Sequence, residues 1–374
     1  MIKIGDTSIS KIYIGNDEVQ KIYLGDDLVY GGSPTPDYKS MYFTFEVLSA
    51  GTVYLSASRT SLTRSVEYSI NDGAWTSGTF ASGSNATQIS VQSGDIVKFR
   101  GDNADYATAR TAYTCFSGDT DVRYNIYGNL MSLIDSTGFT TNSTLTNEMT
   151  FRAFFTACTG VVNVENLIFP EVIQSNSFKE LFAKCTNLTT APKSFPATAL
   201  TESCYANMFQ GCTGLTTVPT LPAMTIVKQS YEAMFSGCTS LTTAPELPAT
   251  TLGEKSYNQM FYGCTSLTTA PSILATTLGD RSCNSMFVRC TSLTTAPELP
   301  ATVLSGACYG YMFSGCSSLN YIKCLATDIP ATSCTTSWVS GVAPTGTFVK
   351  HPSMSSWTTG ANGIPEGWTV QNNT

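Results

Sequence analysis

The chain repeats the phrase Met260-Phe261-Tyr262-Gly263-Cys264-Thr265-Ser266-Leu267-Thr268-Thr269-Ala270-Pro271, with few changes, between about Thr150 and Val342. Its cysteine recurs at intervals of 27 residues twice and then 26 residues four times. A fixed period of about 20 to 50 residues is the sequence signature of a solenoid, in which each coil stacks on the next. We therefore expect a solenoid at residues 150–342. The marker cysteines are Cys158, Cys185, Cys212, Cys238, Cys264, Cys290 and Cys316.

The first half of a coil predicts a short helix. Tyr257, Met260 and Phe261 share one face of a helix over Ser256–Gly263, with serine at the N-cap and glycine at the C-terminal position. A single coil has no second layer against which to bury these side chains. Stacking of coils is therefore required.

The second half of a coil predicts a short parallel strand. Leu241-Thr242-Thr243-Ala244 has strand-forming residues, and Pro245 ends the strand because proline cannot donate to a ladder. An eighth coil keeps the register with Val342 in place of the thiol.

The head of each repeat, Phe-x-x-Cys-x-x-Leu, resembles the BspA-type leucine-rich-repeat family, found on bacterial surfaces and in phage and prophage proteins of gut bacteria. This resemblance covers Thr150 to about Val342. It implies an α/β solenoid of leucine-rich-repeat type with about seven to eight coils of 26–27 residues. The sequence lacks an asparagine ladder and has Ala-Pro where the commonest consensus has Leu-x-Leu.

The seven marker cysteines are interpreted as a structural core ladder of small buried side chains. Equivalent residues of adjacent coils have parallel Cβ vectors, which disfavours disulfides, and Val342 replaces one of them. Some disulfide pairing and metal binding stay open as alternatives.

Residues 1–30 contain a second repeat with a period of ten, in which Gly-Asp or Gly-Asn follows a short apolar stretch. This predicts a β-meander, which is too short to bury a core and so needs a partner. The motif resembles N-terminal segments of phage tail and fibre proteins. That resemblance implies attachment to other virion proteins through Ile4, Ile14 and Leu24. A flexible leader, or a hairpin packed on the next domain, is the alternative.

The remaining segments flank the repeats. Residues 31–36 have the composition of a linker. Residues 37–118 alternate apolar and polar side chains between turn signals, which predicts a small all-β sandwich serving as a spacer or binding carbohydrate. Residues 119–149 are expected to form the N-terminal solenoid cap, and residues 343–374 the C-terminal cap. The whole arrangement resembles repeat proteins encoded by Bacteroides-group gut bacteria and their phages.

Charge and hydropathy exclude several partners. The net charge of −7 and the pI near 4.8 argue against nucleic acid. No run of 18 apolar residues exists, so membrane insertion is not expected. The N-terminus lacks the apolar region of a secretory signal. If Met1 is the native start, we expect a protein made in the host cytoplasm and placed on the virion exterior, with the bacterial cell surface as the alternative.

Catalytic and cofactor motifs are not recognisable. His351 is the single histidine, which excludes histidine-rich metal sites and favours a solvated turn. Glu246 and Glu298 occupy one repeat position, but Ser272 stands between them, so the two carboxylates lie about 10 Å apart by the strand spacing. An inverting glycosidase pair is spaced up to about 9.5 Å apart. We expect no enzyme, no cofactor and no metal.

Positions that vary within the fixed repeat are the candidate recognition surface, with neutral drift as the alternative. Taken with the two resemblances, they imply a non-enzymatic phage virion protein, part of a tail, fibre or other exterior appendage, that binds a host surface protein or glycan through the repeats. A BspA-like bacterial adhesin and a glycan-cleaving tailspike are the alternatives, and association into a homo-oligomer stays open. The candidate positions are Glu246, Ser272, Glu298, Gln210, Ser236, Tyr262, Val288 and Ser314.

Overall fold

The computed structural model describes residues 36–329, 333–355 and 357–374, together with the backbone of the strands before residue 32. The chain divides into two compact units, Met1–Tyr38 and Lys39–Thr374. Helix is almost absent from the described residues. It is limited to three short 3-10 segments: η1 (Tyr38–Ser40), η2 (Gly83–Asn85) and η3 (Leu130–Leu133).

The first unit contains three two-stranded antiparallel ladders at the predicted period of ten. Each ladder pairs residues on either side of a Gly-Asp or Gly-Asn dipeptide, as in Ile4 with Thr7. The described pairing is of separate hairpins and does not link one hairpin to the next, as a continuous meander would. Residues 32–35 of the expected linker and the side chains of Ile4, Ile14 and Leu24 lie outside the described residues. The strands are β1 (Lys3–Ile4), β2 (Thr7–Ser8), β3 (Tyr13–Ile14), β4 (Asp17–Glu18), β5 (Lys21–Leu24) and β6 (Asp27–Gly31).

The second unit begins with two antiparallel sheets. In β7, Phe43, Phe45 and Val47 are buried and Glu46 is exposed, as the alternating pattern predicts. Thr44 departs from the pattern, because it is fully buried with its hydroxyl donating to the Tyr42 carbonyl. The first sheet has the order β10, β9, β12, β7, β15, and the second has β11, β8, β14, β13. The strands are β7 (Phe43–Ser49), β8 (Gly51–Ala57), β9 (Arg64–Ile70), β10 (Thr76–Phe80), β11 (Gln88–Val91), β12 (Ile96–Arg100), β13 (Ala107–Ala109), β14 (Ala112–Gly118) and β15 (Arg123–Asn129).

Strand β15 connects the sandwich to the solenoid. It pairs antiparallel with β7 and parallel with two strands of the first coil, β16 (Val161–Asn163) and β17 (Leu167–Ile168). It lies in the segment expected to cap the solenoid, and its ring at Tyr124 stacks on Phe45 at a centroid distance of 4.3 Å. Sandwich and coils therefore share one continuous hydrophobic core.

The repeats form a β-solenoid of about six turns, fewer than the seven to eight coils expected, because seven marker cysteines bound only six periods. The predicted helix over Ser256–Gly263 is wrong. The chain there makes a series of turns in which Lys255, Gln259 and Gly263 have φ values of 54°, 57° and 71°. A right-handed helix excludes positive φ.

Alternating hydrogen bonds explain why turns replace the helix. The N–H of Met260 donates to the Tyr257 carbonyl within the coil, whereas the N–H of Phe261 donates to the Met286 carbonyl of the next coil. The same alternation recurs from coil to coil, so every second amide of the turns links neighbouring coils. Phe209, Phe235 and Phe261 consequently stack face to face at centroid distances of 5.6 and 5.7 Å.

In the middle coils the regular strands are displaced from the predicted position, whereas β16 of the first coil lies at it. At Leu241–Ala244 the structure has one isolated bridge, from Thr243 to Thr269. The hydrogen-bonded strands lie further along the coil and are two residues long, and they pair in parallel with exact register between coils. They are β18 (Thr225–Ile226), β19 (Thr251–Leu252) and β20 (Thr277–Leu278).

A three-stranded parallel sheet ends the described solenoid. It consists of β21 (Tyr321–Cys324), β22 (Thr347–Lys350) and β23 (Thr369–Asn372). The buried Trp338 stacks on Trp357 at a centroid distance of 5.4 Å. Residues 343–374 therefore add two strands and aromatic side chains to the last coil.

Candidate functional site

The marker cysteines form a buried row of thiols. Each thiol from Cys185 to Cys316 donates to the carbonyl of the repeat phenylalanine in the preceding coil, with S···O distances of 2.9 to 3.1 Å. Cys158 has no preceding coil, and its sulfur lies 3.0 Å from the hydroxyl of Tyr124 on β15. The thiol row thus adds one hydrogen bond per coil to its packing role.

These thiols are poor candidates for chemistry. All thirteen cysteines are free, and burial raises the pKa of Cys212, Cys264 and Cys316 to about 12. A thiol is nucleophilic and metal-binding as the thiolate, which this burial disfavours. Among the residues that the structure describes, no group of three or more His, Cys, Asp or Glu side chains could hold a metal ion.

The predicted recognition residues after the Ala-Pro step lie at the surface. Glu246, Ser272 and Glu298 are exposed. They line two proline grooves, one of about 510 Å³ over residues 218–248 and one of about 420 Å³ over residues 270–300. Glu246 lies in the first groove and Glu298 in the second, where Glu298 also pairs with Lys323 at 3.0 Å. The two carboxylates therefore do not face each other across one cleft.

The predicted recognition residues after the Met-Phe step are less accessible. Ser236 is buried, and the other four are half-buried. Their backbone lies within the ladder between coils, since the carbonyls of Ser236 and Tyr262 accept from glycine N–H groups of the preceding coil. The half-buried residues are Gln210, Tyr262, Val288 and Ser314.

Another surface, which the sequence analysis did not identify, is a groove of about 480 Å³ along the turns of successive coils. We call it the polar groove. All its lining residues stand nine, six or five residues before a marker cysteine or its Val342 equivalent. None of the eight predicted recognition residues lines it. The lining residues are Glu232, Lys255, Asn258, Gln259, Arg281, Asn284, Ala307, Gly310, Tyr311, Ser333 and Thr336.

Hydrogen bonds hold the Glu232 carboxylate and the Asn258 and Asn284 amides of the polar groove in place. The Glu232 carboxylate accepts from Asn258 Nδ2 at 2.8 Å and from Gln229 Nε2 at 2.5 Å. Asn284 Nδ2 donates to the Ala307 carbonyl at 3.2 Å, and Asn284 Oδ1 accepts from Ser285. The fold therefore positions the side chains of Glu232, Asn258 and Asn284 in the groove wall.

The polar groove was not predicted, because a helix was expected in this segment. Lys255, Asn258 and Gln259 alternate with the fixed Ser256-Tyr257 and Met260-Phe261 pairs, and a helical arrangement assigns them to an ordinary solvated back face. The signal that could have revealed them is their variability between coils, because the neighbouring fixed positions are buried. His351, the other polar residue noted in the sequence, is half-buried and its Nδ1 lies 2.6 Å from Ser353 Oγ.

Within the described part of the chain, no helix has the length and apolar character needed to cross a membrane.

No protein-family profile matches the sequence, and no curated protein does. Among solved structures, the chain is similar to a leucine-rich repeat protein from Bacteroides ovatus, with 14% sequence identity and a TM-score of 0.24 over 67% of this chain and 86% of that chain. A likeness this distant carries no argument about function, so the proposals below rest on the geometry of this chain.

Proposed function

We propose that the chain is a non-catalytic binding protein whose solenoid presents the polar groove to a ligand on a cell surface. The supporting observation is the division between fixed and variable positions within one coil. Met, Phe and Cys of the repeat are buried and nearly constant, while the three variable positions of successive coils converge on one groove. Variable side chains on a constant stacked frame are how solenoids form recognition surfaces.

Backbone conformation strengthens this proposal. The positions nine, five and one residue before the marker cysteine all have positive φ, which glycine adopts most easily. Glycine stands one residue before the cysteine in most coils, for example Gly237 and Gly263. None of the described coils has glycine nine or five residues before the cysteine. Lys255, Arg281 and Tyr311 therefore hold side chains in the polar groove at a backbone cost of order 1 kcal/mol each.

The biological setting we propose is the exterior of a phage virion, with a BspA-type leucine-rich-repeat solenoid turned outward. The motif of residues 1–30, whose described strands form hairpins at a period of ten, supports attachment to other virion proteins. Several copies per particle would multiply shallow contacts into tight binding. A structure of the assembled particle tests the setting: residues 1–30 in contact with a virion protein support it, and residues 1–30 free of contact contradict it.

Binding of the labelled full chain to a panel of intact bacterial cells tests the function. We expect the double variant Arg281→Ala, Tyr311→Ala to lose about tenfold or more in affinity, because it removes a charged and an aromatic contact. Glu246→Gln, on a proline groove, is the matched control and should bind as the original chain does. The opposite pattern, loss in Glu246→Gln alone, would move recognition to the proline grooves.

A further inference from the structure

Resting on the proposed function, we propose that the polar groove binds an acidic glycan. Its carboxylate or sulfate group is held by Lys255 and Arg281, and a sugar ring lies against Tyr311. All three residues line the same groove and come from three consecutive coils.

Two cations of the groove, Lys255 and Arg281, form no ion pair with a described carboxylate. Lys255 and Arg281 occupy the same position of adjacent coils, and the Lys255 N–H donates to the Asp280 carbonyl at 2.9 Å, so their backbones are about one strand spacing apart. Among the described residues, no carboxylate lies within ion-pairing distance of either side chain, whereas Lys193, Lys228 and Lys323 each have one. Two like charges lining one groove repel each other, and an anion bound in that groove would be stabilised by both.

Of the nearby carboxylates, Glu232 lines the groove, whereas Glu254 and Asp280 do not. Both oxygens of Glu232 accept hydrogen bonds from amides. Asp280 Oδ1 accepts from the Gly306 N–H. These hydrogen bonds orient the Glu232 carboxylate but leave its charge in place, so the two cations and one carboxylate give the groove an excess of one positive charge for an anionic ligand.

Tyr311 supplies a surface for a sugar ring. It is 46% exposed and has a φ of 55°, an uncommon combination for an aromatic residue. Other coils place non-aromatic residues at this position, such as Gln259, Ser285 and Ala233. Beside it, Gly310 keeps the groove open, because a Cβ there would lie 2.6 Å from Asn284 Nδ2.

A glycan fits this combination better than a nucleic acid does. Nucleic-acid binding needs a basic face that neutralises several phosphates, and this chain has a net charge of −7 with two cations in the groove. Amides and hydroxyls, here Asn258, Gln259 and Ser333, match the hydroxyl groups of a sugar as donors and acceptors. An aromatic face packs against the apolar face of a sugar ring.

A glycan array tests the proposal with the labelled full chain. It carries uronate-, sialate- and sulfate-bearing oligosaccharides beside neutral oligosaccharides of matched backbone. We expect acidic glycans to bind about tenfold or more tightly than their neutral counterparts, with binding that weakens as salt is raised. Arg281→Gln and Lys255→Gln should each remove most of this preference. Tyr311→Ser should lower binding to acidic glycans without changing the salt dependence.

Lys228→Gln is the matched control, since Lys228 is a cation outside the groove, paired with Glu202 at 3.3 Å. Circular dichroism of each variant verifies folding, which these surface changes should preserve. Binding to neutral glycans alone, an acidic preference that survives both charge variants, or no binding on the array would overturn the proposal. If the chain then still binds cells and loses that binding in the Arg281→Ala, Tyr311→Ala variant, the proposed function stands with a different ligand.

Discussion

The sandwich and the solenoid bury aromatic side chains in different ways. In the sandwich, Phe116 contacts six other rings, and these come from β7, β10, β12 and the first coil. In the solenoid, Phe261 stacks on Phe235 and Phe287, its own equivalents one coil away on either side. The sandwich core is thus built from residues distant in sequence, and the solenoid core from one residue repeated.

This difference predicts two kinds of response to damage. A core assembled from many strands unfolds as a whole, whereas stacked repeats depend mainly on their nearest neighbours. Three perturbations test how far the distinction holds.

Alkaline pH should have the largest effect, because every coil of the solenoid carries a buried thiol and is destabilised in the same pH range. Burial raises the pKa of Cys264 from its ordinary 9.0 to about 12, and the other marker thiols are raised as well. A folded-state pKa above the unfolded value gives stability that is complete below about pH 9 and lost as pH rises towards 12. Pulsed alkylation followed by mass spectrometry should show the marker thiols becoming labelled together within this window.

Cys115 is the internal comparison for that experiment, because it is the half-buried thiol of the sandwich strand β14 and its pKa is also raised to about 12. We expect it to be labelled independently of the marker thiols. Labelling of Cys264 in the folded protein near pH 8 would contradict the buried row.

Truncation of one phenylalanine in each region should separate the two cores. Phe116→Ala and Phe261→Ala each remove a fully buried ring, which costs about 3 to 5 kcal/mol. Hydrogen exchange at neutral pH should show lost protection across both sheets for Phe116→Ala. For Phe261→Ala we expect the loss to centre on residues 229–290.

The exposed Tyr311→Ser variant is the control for both, since it should leave exchange in the two cores unchanged. Equal loss of protection throughout the chain in Phe261→Ala would show that the solenoid unfolds as cooperatively as the sandwich.

Backbone changes at the turns should have the smallest effect. Gly263 has a φ of 71° and open space around its Cβ position, so Gly263→Ala adds backbone strain of about 1 kcal/mol and little else. Arg289 has a φ of 60° at the equivalent position, so Arg289→Gly should stabilise by a similar amount. Urea unfolding measures both.

Arg289→Ala separates charge from conformation, because it removes the guanidinium but keeps the strained backbone. Stabilisation by Arg289→Ala equal to that by Arg289→Gly would refute the conformational explanation.

The sequence predicted the structure correctly at positions where burial alone decides which residue type is present. The period, the buried thiols and the alternation in β7 follow from burial alone, and the structure has all three. The turn segment was mistaken for a helix because Tyr257, Met260 and Phe261 have helical spacing. The positive φ of Lys255 costs free energy, and the hydrogen bond from its N–H to the next coil offsets that cost. Local residue propensities contain no information about a bond between coils.

The polar groove was not predicted, because the same segment was assigned to a helix. Its lining residues share a surface only when the chain makes four-residue turns, which set positive φ at Lys255, Gln259 and Gly263. The proline positions Glu246 and Glu298, by contrast, are exposed whichever conformation precedes them. Residues vary between coils both in the polar groove and at the proline positions. The helix assignment placed the residues of the polar groove on an ordinary solvated face, so they were not predicted to form a site.

The near-identity of the coils has a consequence for how such a protein can change. Excision of residues 239–264 would rejoin Cys238 to Thr265 within the same repeated phrase and leave every buried frame position filled. The lost coil would take Lys255 with it and place Gln229 at the equivalent position beside Arg281, exchanging a pair of cations for a single cation. Recombination between repeats of the gene can therefore change the charge of the polar groove in whole-coil steps while leaving the buried frame intact.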